Sequence, residues 1–305
     1  MSPARRLVAA AALALILPAP LSAQAGGTGT ESWLFPGVRY FRELFADPYD
    51  PRLSIALVRT DLFESRGPER PAYERSPGNE PEVQAAAAIG VAFPIFHVHS
   101  GEGSGVTIGV QAGVFARFRI EHPSRDDLGQ DWFVGMPIDA AWGTSALRFR
   151  LIHRSSHLGD EFSETTGGRR IEFGGEAFDL LLAREVGPIR AYGGAGWIFH
   201  SNTGATRVLR ELDRPDRFTA QAGLDGVWRP FADPRLSVRA GADWQSTERT
   251  KWRSTWALAG GFAADTGRGG ASIVLRYTGG QSALGQFFLT AEEVFTLEVG
   301  IRGGH

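Results

Sequence analysis

From about residue 52 onward the chain repeats one unit roughly a dozen times: some ten residues alternating apolar with small or polar, closed by a turn and often ended by tryptophan. The clearest copy runs Trp132, Val134, Met136, Ile138, Ala140 and Trp142 along one face. Phe133, Gly135, Pro137, Asp139, Ala141 and Gly143 occupy the other. At about 3.3 Å per residue and a tilt near 45°, the two tryptophans lie roughly 23 Å apart along a membrane normal. That separation matches the ~25 Å apolar band and aromatic girdles of an outer-membrane barrel. The pattern predicts an all-β fold, an antiparallel transmembrane β-barrel of about 12 strands, at 52–305.

Strands are expected near 52–61, 83–95, 106–120, 132–142, 145–155, 170–183, 188–200, 217–229, 235–246, 251–263, 270–278 and 292–302. Long polar connections alternate with short ones rich in Gly, Pro and Asp, so the long loops face the exterior and both chain ends the periplasm. The 96–105 connection looks longer than a turn. Charges such as Arg117, Arg119, Arg148, Arg150, Arg190, Asp225, Arg239, Asp243, Arg276 and Glu298 fall on the face opposite the apolar row. They point to a lumen of mutually neutralising ions rather than a selective pore.

The first residues set the route. Arg5 and Arg6 precede an apolar run from Leu7 to Leu17, and Ala23 or Ala25 offers a cleavage site, which makes 1–23 a secretory signal peptide. The chain has no cysteine, hence neither disulfide nor lipid-anchored N-terminus. Residues 24–51 read as an N-terminal periplasmic segment. Its aromatic stretch suggests a short helix around Val38–Phe45 docked in the periplasmic mouth or on the membrane surface. The net charge of −2 suggests no nucleic-acid partner. Expected partners are outer-membrane lipids and, during insertion, the barrel-assembly machinery.

One stretch can carry chemistry: His153-Arg154-Ser155-Ser156-His157-Leu158-Gly159-Asp160-Glu161-Phe162, at the outer end of the expected fifth strand. Arg148 and Arg150 must point inward, so His153 and Ser155 continue the lipid-facing row of Leu147, Phe149 and Leu151. An imidazole beside a hydroxyl there could activate the serine toward an ester delivered by the membrane. Alternatively, His153, His157, Asp160 and Glu161 could hold zinc or manganese, or the polar groups could simply brace an exterior loop.

Two resemblances meet here. HRSSHLGDEF, the Trp-Leu-Phe-Pro to Ala-Asp-Pro stretch at 33–48 and Gly-Gln-Phe-Phe at 285–288 resemble an uncharacterised bacterial outer-membrane protein family, the domain of unknown function 1207 family. The His-x-Ser spacing separately resembles outer-membrane phospholipase A and the lipid A deacylase, barrel enzymes that use His, Ser and an Asn or Glu of the adjoining strand. That likeness implies Ser155 as nucleophile and His153 as base, with Glu172 or Asp160 orienting the base; His157 and Glu161 are candidate binding residues of the loop on its own chemistry. Where those enzymes continue with Asn-Gly, this chain has Ser156 and His157. No cofactor is implied by the residues themselves. The first functional reading is an integral outer-membrane barrel with a structural or permeability role, and the alternative is a membrane-facing serine acyl hydrolase acting on phospholipid or lipid A.

Overall fold

The computed structural model describes residues 31–34, 39–60, 82–101, 103–121, 125–166, 170–202, 217–266 and 269–303. The expected signal peptide lies outside the described residues, as do most of the expected loops at 62–82 and 201–216.

The strands are β1 (Glu31–Leu34), β2 (Leu53–Thr60), β3 (Glu82–His99), β4 (Gly105–Phe118), β5 (Asp127–Trp142), β6 (Ser145–Leu158), β7 (Phe173–Val186), β8 (Ile189–Ser201), β9 (Phe218–Trp228), β10 (Leu236–Thr247), β11 (Ser254–Asp265), β12 (Gly269–Gln281) and β13 (Ala291–Gly303). Helix α1 (Asp160–Thr166) follows β6. Each strand from β2 to β13 pairs antiparallel with its sequence neighbours, and β13 pairs with β2, which closes a barrel of 12 staves. Closure leaves no continuous open edge, as a sheet surrounded by hydrocarbon requires.

A thirteenth strand, β1, lies outside the expected dozen. β1 pairs with the His99 end of β3, Glu31 opposite His99 to Leu34 opposite Phe96, on the same edge that β2 occupies further up. One stave is therefore split. Residues 39–50 run inside the barrel. The expected helix around Val38–Phe45 is not seen among the described residues: 39–50 carry no helix or strand, only turns, bends and irregular backbone. Their polar backbone is satisfied by lumen arginines instead of by helical bonds, with Arg148 donating to the Phe41 carbonyl at 2.7 Å and Arg276 to the Phe45 carbonyl at 3.1 Å. Phe41 and Leu44 pack on Leu181, Ala183 and Tyr192, while Ala46 packs on Ala259 and Val274.

Half of the expected 96–105 connection is strand. β3 runs to His99 and β4 starts at Gly105, with a bulge between Pro94 and Phe96 that reverses which residues face inward. His97 and His99 consequently turn to the lumen side, where both ring systems contact the Tyr40 hydroxyl.

The alternation holds along the wall. Trp132, Val134, Met136, Ile138 and Trp142 are exposed, whereas Phe133, Asp139, Arg148, Arg150, Arg190 and Glu298 are buried. Inside, Arg148 grips both oxygens of Asp139 at 2.8 and 2.9 Å and lies over the Phe41 ring. Arg150 forks onto Asp179, Arg117 pairs with Glu292, and Arg239 with Glu43 of the plug. Paired ions of this kind hold the lumen's shape.

The opposite mouth of the barrel is also covered. Residues 282–290, with a 3-10 turn at Gly285–Phe287, fold inward. Gln286 donates from Nε2 to the Ser156 and Ile171 carbonyls, both at 2.7 Å, and accepts from the Ile171 amide at 3.0 Å. Leu284 and Phe287 join Leu128, Leu158 and Phe162 in an apolar cluster. Plug and cap meet at Tyr49, whose hydroxyl lies against both the Asp131 carboxylate and the Ala283 carbonyl, with the Arg154 guanidinium over its ring.

Candidate functional site on the lipid-facing wall

The register around β6 is set from both ends. Gly143 and Thr144 form a two-residue turn flanked by the Trp142–Ser145 pair, with Gly143 at φ +57, a conformation that suits glycine. On the inner face Arg148, Arg150 and Arg154 find Asp139, Asp179 and Asp131. A one-residue slip would turn all three arginines to lipid, at a cost of about 2–4 kcal/mol each near the bilayer midplane. The outward placement of His153 follows from these pairs.

Two rows cross the outer wall. The first runs Val134, His153, Glu176 and His200 on β5 to β8, each directly opposite the next. His153 Nδ1 lies 2.9 Å from Glu176 Oε1, and His200 Nδ1 contacts Glu176 Oε2. An ionised carboxylate only accepts, so both Nδ1 atoms carry hydrogen and the Nε2 of neutral His153 is left as an acceptor. The second row runs Trp132, Ser155 and Gly174, with the Asn202 amide donating to the Gly174 carbonyl at 2.9 Å. Ser155 is therefore level with the outer tryptophan girdle and two residues along the same face from His153. Among the described residues, no hydrogen bond joins the Ser155 hydroxyl to His153 or to any other group.

Toward the membrane centre the rows give way to rings. Phe178, opposite Leu151 and Trp197, meets Trp197 edge-on at 5.3 Å and has Phe149 at 6.0 Å and Phe199 at 6.3 Å. The site thus has polar groups at interface depth above an apolar platform.

The other expected residues are placed apart from this centre. Glu172 is exposed just before β7, four residues from Glu176 and so about 13 Å along the chain. The carboxylate facing His153 is Glu176, a correction to the sequence-based choice. Asp160 opens α1 beyond the strand end and is held by Arg170 at 2.7 Å, so it does not orient His153. Glu161 lies in the same helical turn, and His157 is exposed further out on β6. Among the described residues no group of three or more His, Asp or Glu could hold a metal ion, so the expected alternative of His153, His157, Asp160 and Glu161 as ligands is not assembled.

Glu176 and His200 escaped sequence reasoning for different reasons. Glu176 shares the outward parity of Glu172, but the β6–β7 register depends on the fold of 159–172. His200 has the parity of the inward Arg190 and Tyr192; the shift of the β7–β8 register between Glu176 and Ala177 turns it outward.

The fold resembles solved outer-membrane barrels. Outer membrane phospholipase A from Escherichia coli is matched with a TM-score of 0.51 at 10% identity, covering 85% of this chain and 94% of that one. The Salmonella typhi outer membrane phospholipase dimer with bound calcium gives 0.53 at 9% identity, with 85% and 94% covered. The fold is accordingly that of a bacterial outer-membrane β-barrel. No curated protein matches the sequence. A family model described as "Protein of unknown function (DUF1207)" matches residues 77–302, most of the chain, and the protein belongs to that family.

Proposed function

We propose that this barrel is a membrane-facing serine acyl hydrolase acting on acyl esters of the outer membrane, phospholipid or lipid A, with Ser155 as nucleophile, His153 as base and Glu176 orienting the base. The observation that carries the reading is the 2.9 Å contact of His153 Nδ1 with Glu176, on the lipid-facing wall beside a serine. It leaves His153 Nε2 to take the Ser155 proton. Residues two apart on one strand face lie about 6.6 Å apart at Cα, so rotation about χ1 brings hydroxyl and imidazole together, as catalytic contacts tighten when substrate binds. The likeness in fold to barrels named phospholipase agrees with this reading.

The proposal includes export under residues 1–23, insertion by the barrel-assembly machinery and residence in the outer membrane among its lipid substrates. Purified barrel mixed with labelled phospholipid or with lipopolysaccharide tests it, with Ser155→Ala and His153→Ala alongside. Acyl release lost in both variants supports the hydrolase, and the preferred amphiphile identifies the substrate. Absence of release by the unmutated protein removes it. A second reading, a purely structural barrel, is favoured by the plugged and capped lumen and requires that absence; the same closure weighs against a permeability role.

A further inference from the structure

The second row contains a gap shaped by a missing side chain. A methyl placed on Gly174 would sit 3.4 Å from Asn202 Nδ2, 3.6 Å from Ser155 Cβ and 3.5 Å from the Arg154 carbonyl. The glycine thus leaves a notch about one methyl group wide, walled by the proposed nucleophile on one side and a side-chain amide on the other. Asn202 is held at that depth by its own backbone, through the bond to the Gly174 carbonyl. Ser155 Cβ and Asn202 Nδ2 both contact the same point, so they are no more than about 7 Å apart, the span of a carbonyl flanked by two van der Waals contacts.

We infer that the notch over Gly174 seats the scissile ester carbonyl and that Asn202 is a catalytic residue, its Nδ2 donating to the oxyanion. The inference rests on the hydrolase reading and extends it. Ser155 Oγ would attack the carbonyl carbon while its proton passes to His153 Nε2. The C–O π pair would move onto oxygen, where Asn202 N–H receives it. Collapse would break the ester C–O bond, and the leaving alkoxide would take the proton from His153; water would then cleave the acyl-serine by the same route. The acyl chain runs from the notch toward the Phe178, Trp197 and Phe149 platform. The first row, in contrast, has no opening at this level, because Glu176 is bonded to an imidazole on each side.

An oxyanion donor acts on the transition state, so Asn202→Ala should lower kcat about 10²–10³-fold with KM little changed. The isosteric Asn202→Asp keeps the shape, removes the donor and adds a repelling charge, and should fall at least as far. Gly174→Ala fills the notch at ordinary contact distances, so the barrel folds, but acyl release and labelling of Ser155 by a fluorophosphonate, in which Oγ displaces fluoride, should both be lost. Heat-modifiable migration on gels reports folding for every variant. If the unmutated barrel releases acyl chains and Ser155→Ala abolishes release, yet Asn202→Ala or Asn202→Asp retains kcat within a few-fold, the inference is wrong and the hydrolase stands. If the unmutated barrel neither releases acyl chains nor takes the label, both fall together.

Discussion

Glu176 bridges His153 and His200 across three adjacent strands, each imidazole meeting a different carboxylate oxygen on the lipid-facing wall. Both histidines are about half exposed or more on the lipid-facing wall, so the bridge adds little to folding, where polar side-chain contacts in a bilayer average about 0.6 kcal/mol. Its consequence is orientation: with both oxygens held, the carboxylate fixes the plane of the His153 ring.

Replacing Glu176 therefore separates function from stability. Glu176→Ala should reduce acyl release about 10²–10⁴-fold while urea unfolding in lipid vesicles is unchanged within about 0.5 kcal/mol. Glu172→Ala, which alters an exposed residue about 13 Å away, should leave release within twofold. The reverse ranking of the two variants would return the orienting role to Glu172.

The lumen makes a different prediction. Plug residues 39–50 and cap residues 282–290 meet through Tyr49, Asp131 and Ala283, so purified protein in planar bilayers should show no steady conductance. Reproducible single-channel steps in the unmutated protein would contradict the packing of plug and cap.

Arg148 is fully buried with Asp139 as its carboxylate partner. Asp139→Ala strands a guanidinium among Phe41, its carbonyl and the wall, and should destabilise the barrel by about 3–5 kcal/mol. Equilibrium unfolding in vesicles measures this; a loss below about 1 kcal/mol would mean that water or the Phe41 carbonyl replaces the lost partner at little cost.

The cap is sensitive at one position. A Cβ on Gly285 would lie 2.6 Å from Ser156 Cβ and 2.9 Å from its hydroxyl, so Gly285→Ala must displace the 282–290 loop, at about 1–3 kcal/mol. Protease added to intact cells should cleave this loop in the variant and not in the unmutated protein. Equal resistance in both would show that β6 yields instead of the cap.

Much of the wall was legible in the sequence because a barrel strand obeys one local rule, a side-chain period of two, enforced by lipid on one face and paired charge on the other. The outward rows of β4 and β5, the inward arginines of β6 and the lipid-facing setting of His153 and Ser155 all follow from residues within a few positions of one another. Three things do not. The split first stave and the unwound plug depend on lumen arginines supplied from distant strands, which satisfy a backbone that local amphipathicity would fold as helix. The choice of Glu176 over Glu172 depends on how residues 159–172 fold before β7 begins, since strand pairing transmits no register through a long loop. The outward turn of His200 depends on a register shift between β7 and β8, and a bulge inverts parity without leaving a periodic signal. Local alternation decided what each strand shows to the membrane, whereas the neighbours that complete the candidate site were decided by pairing between strands, a relation that exists only once the cylinder has closed.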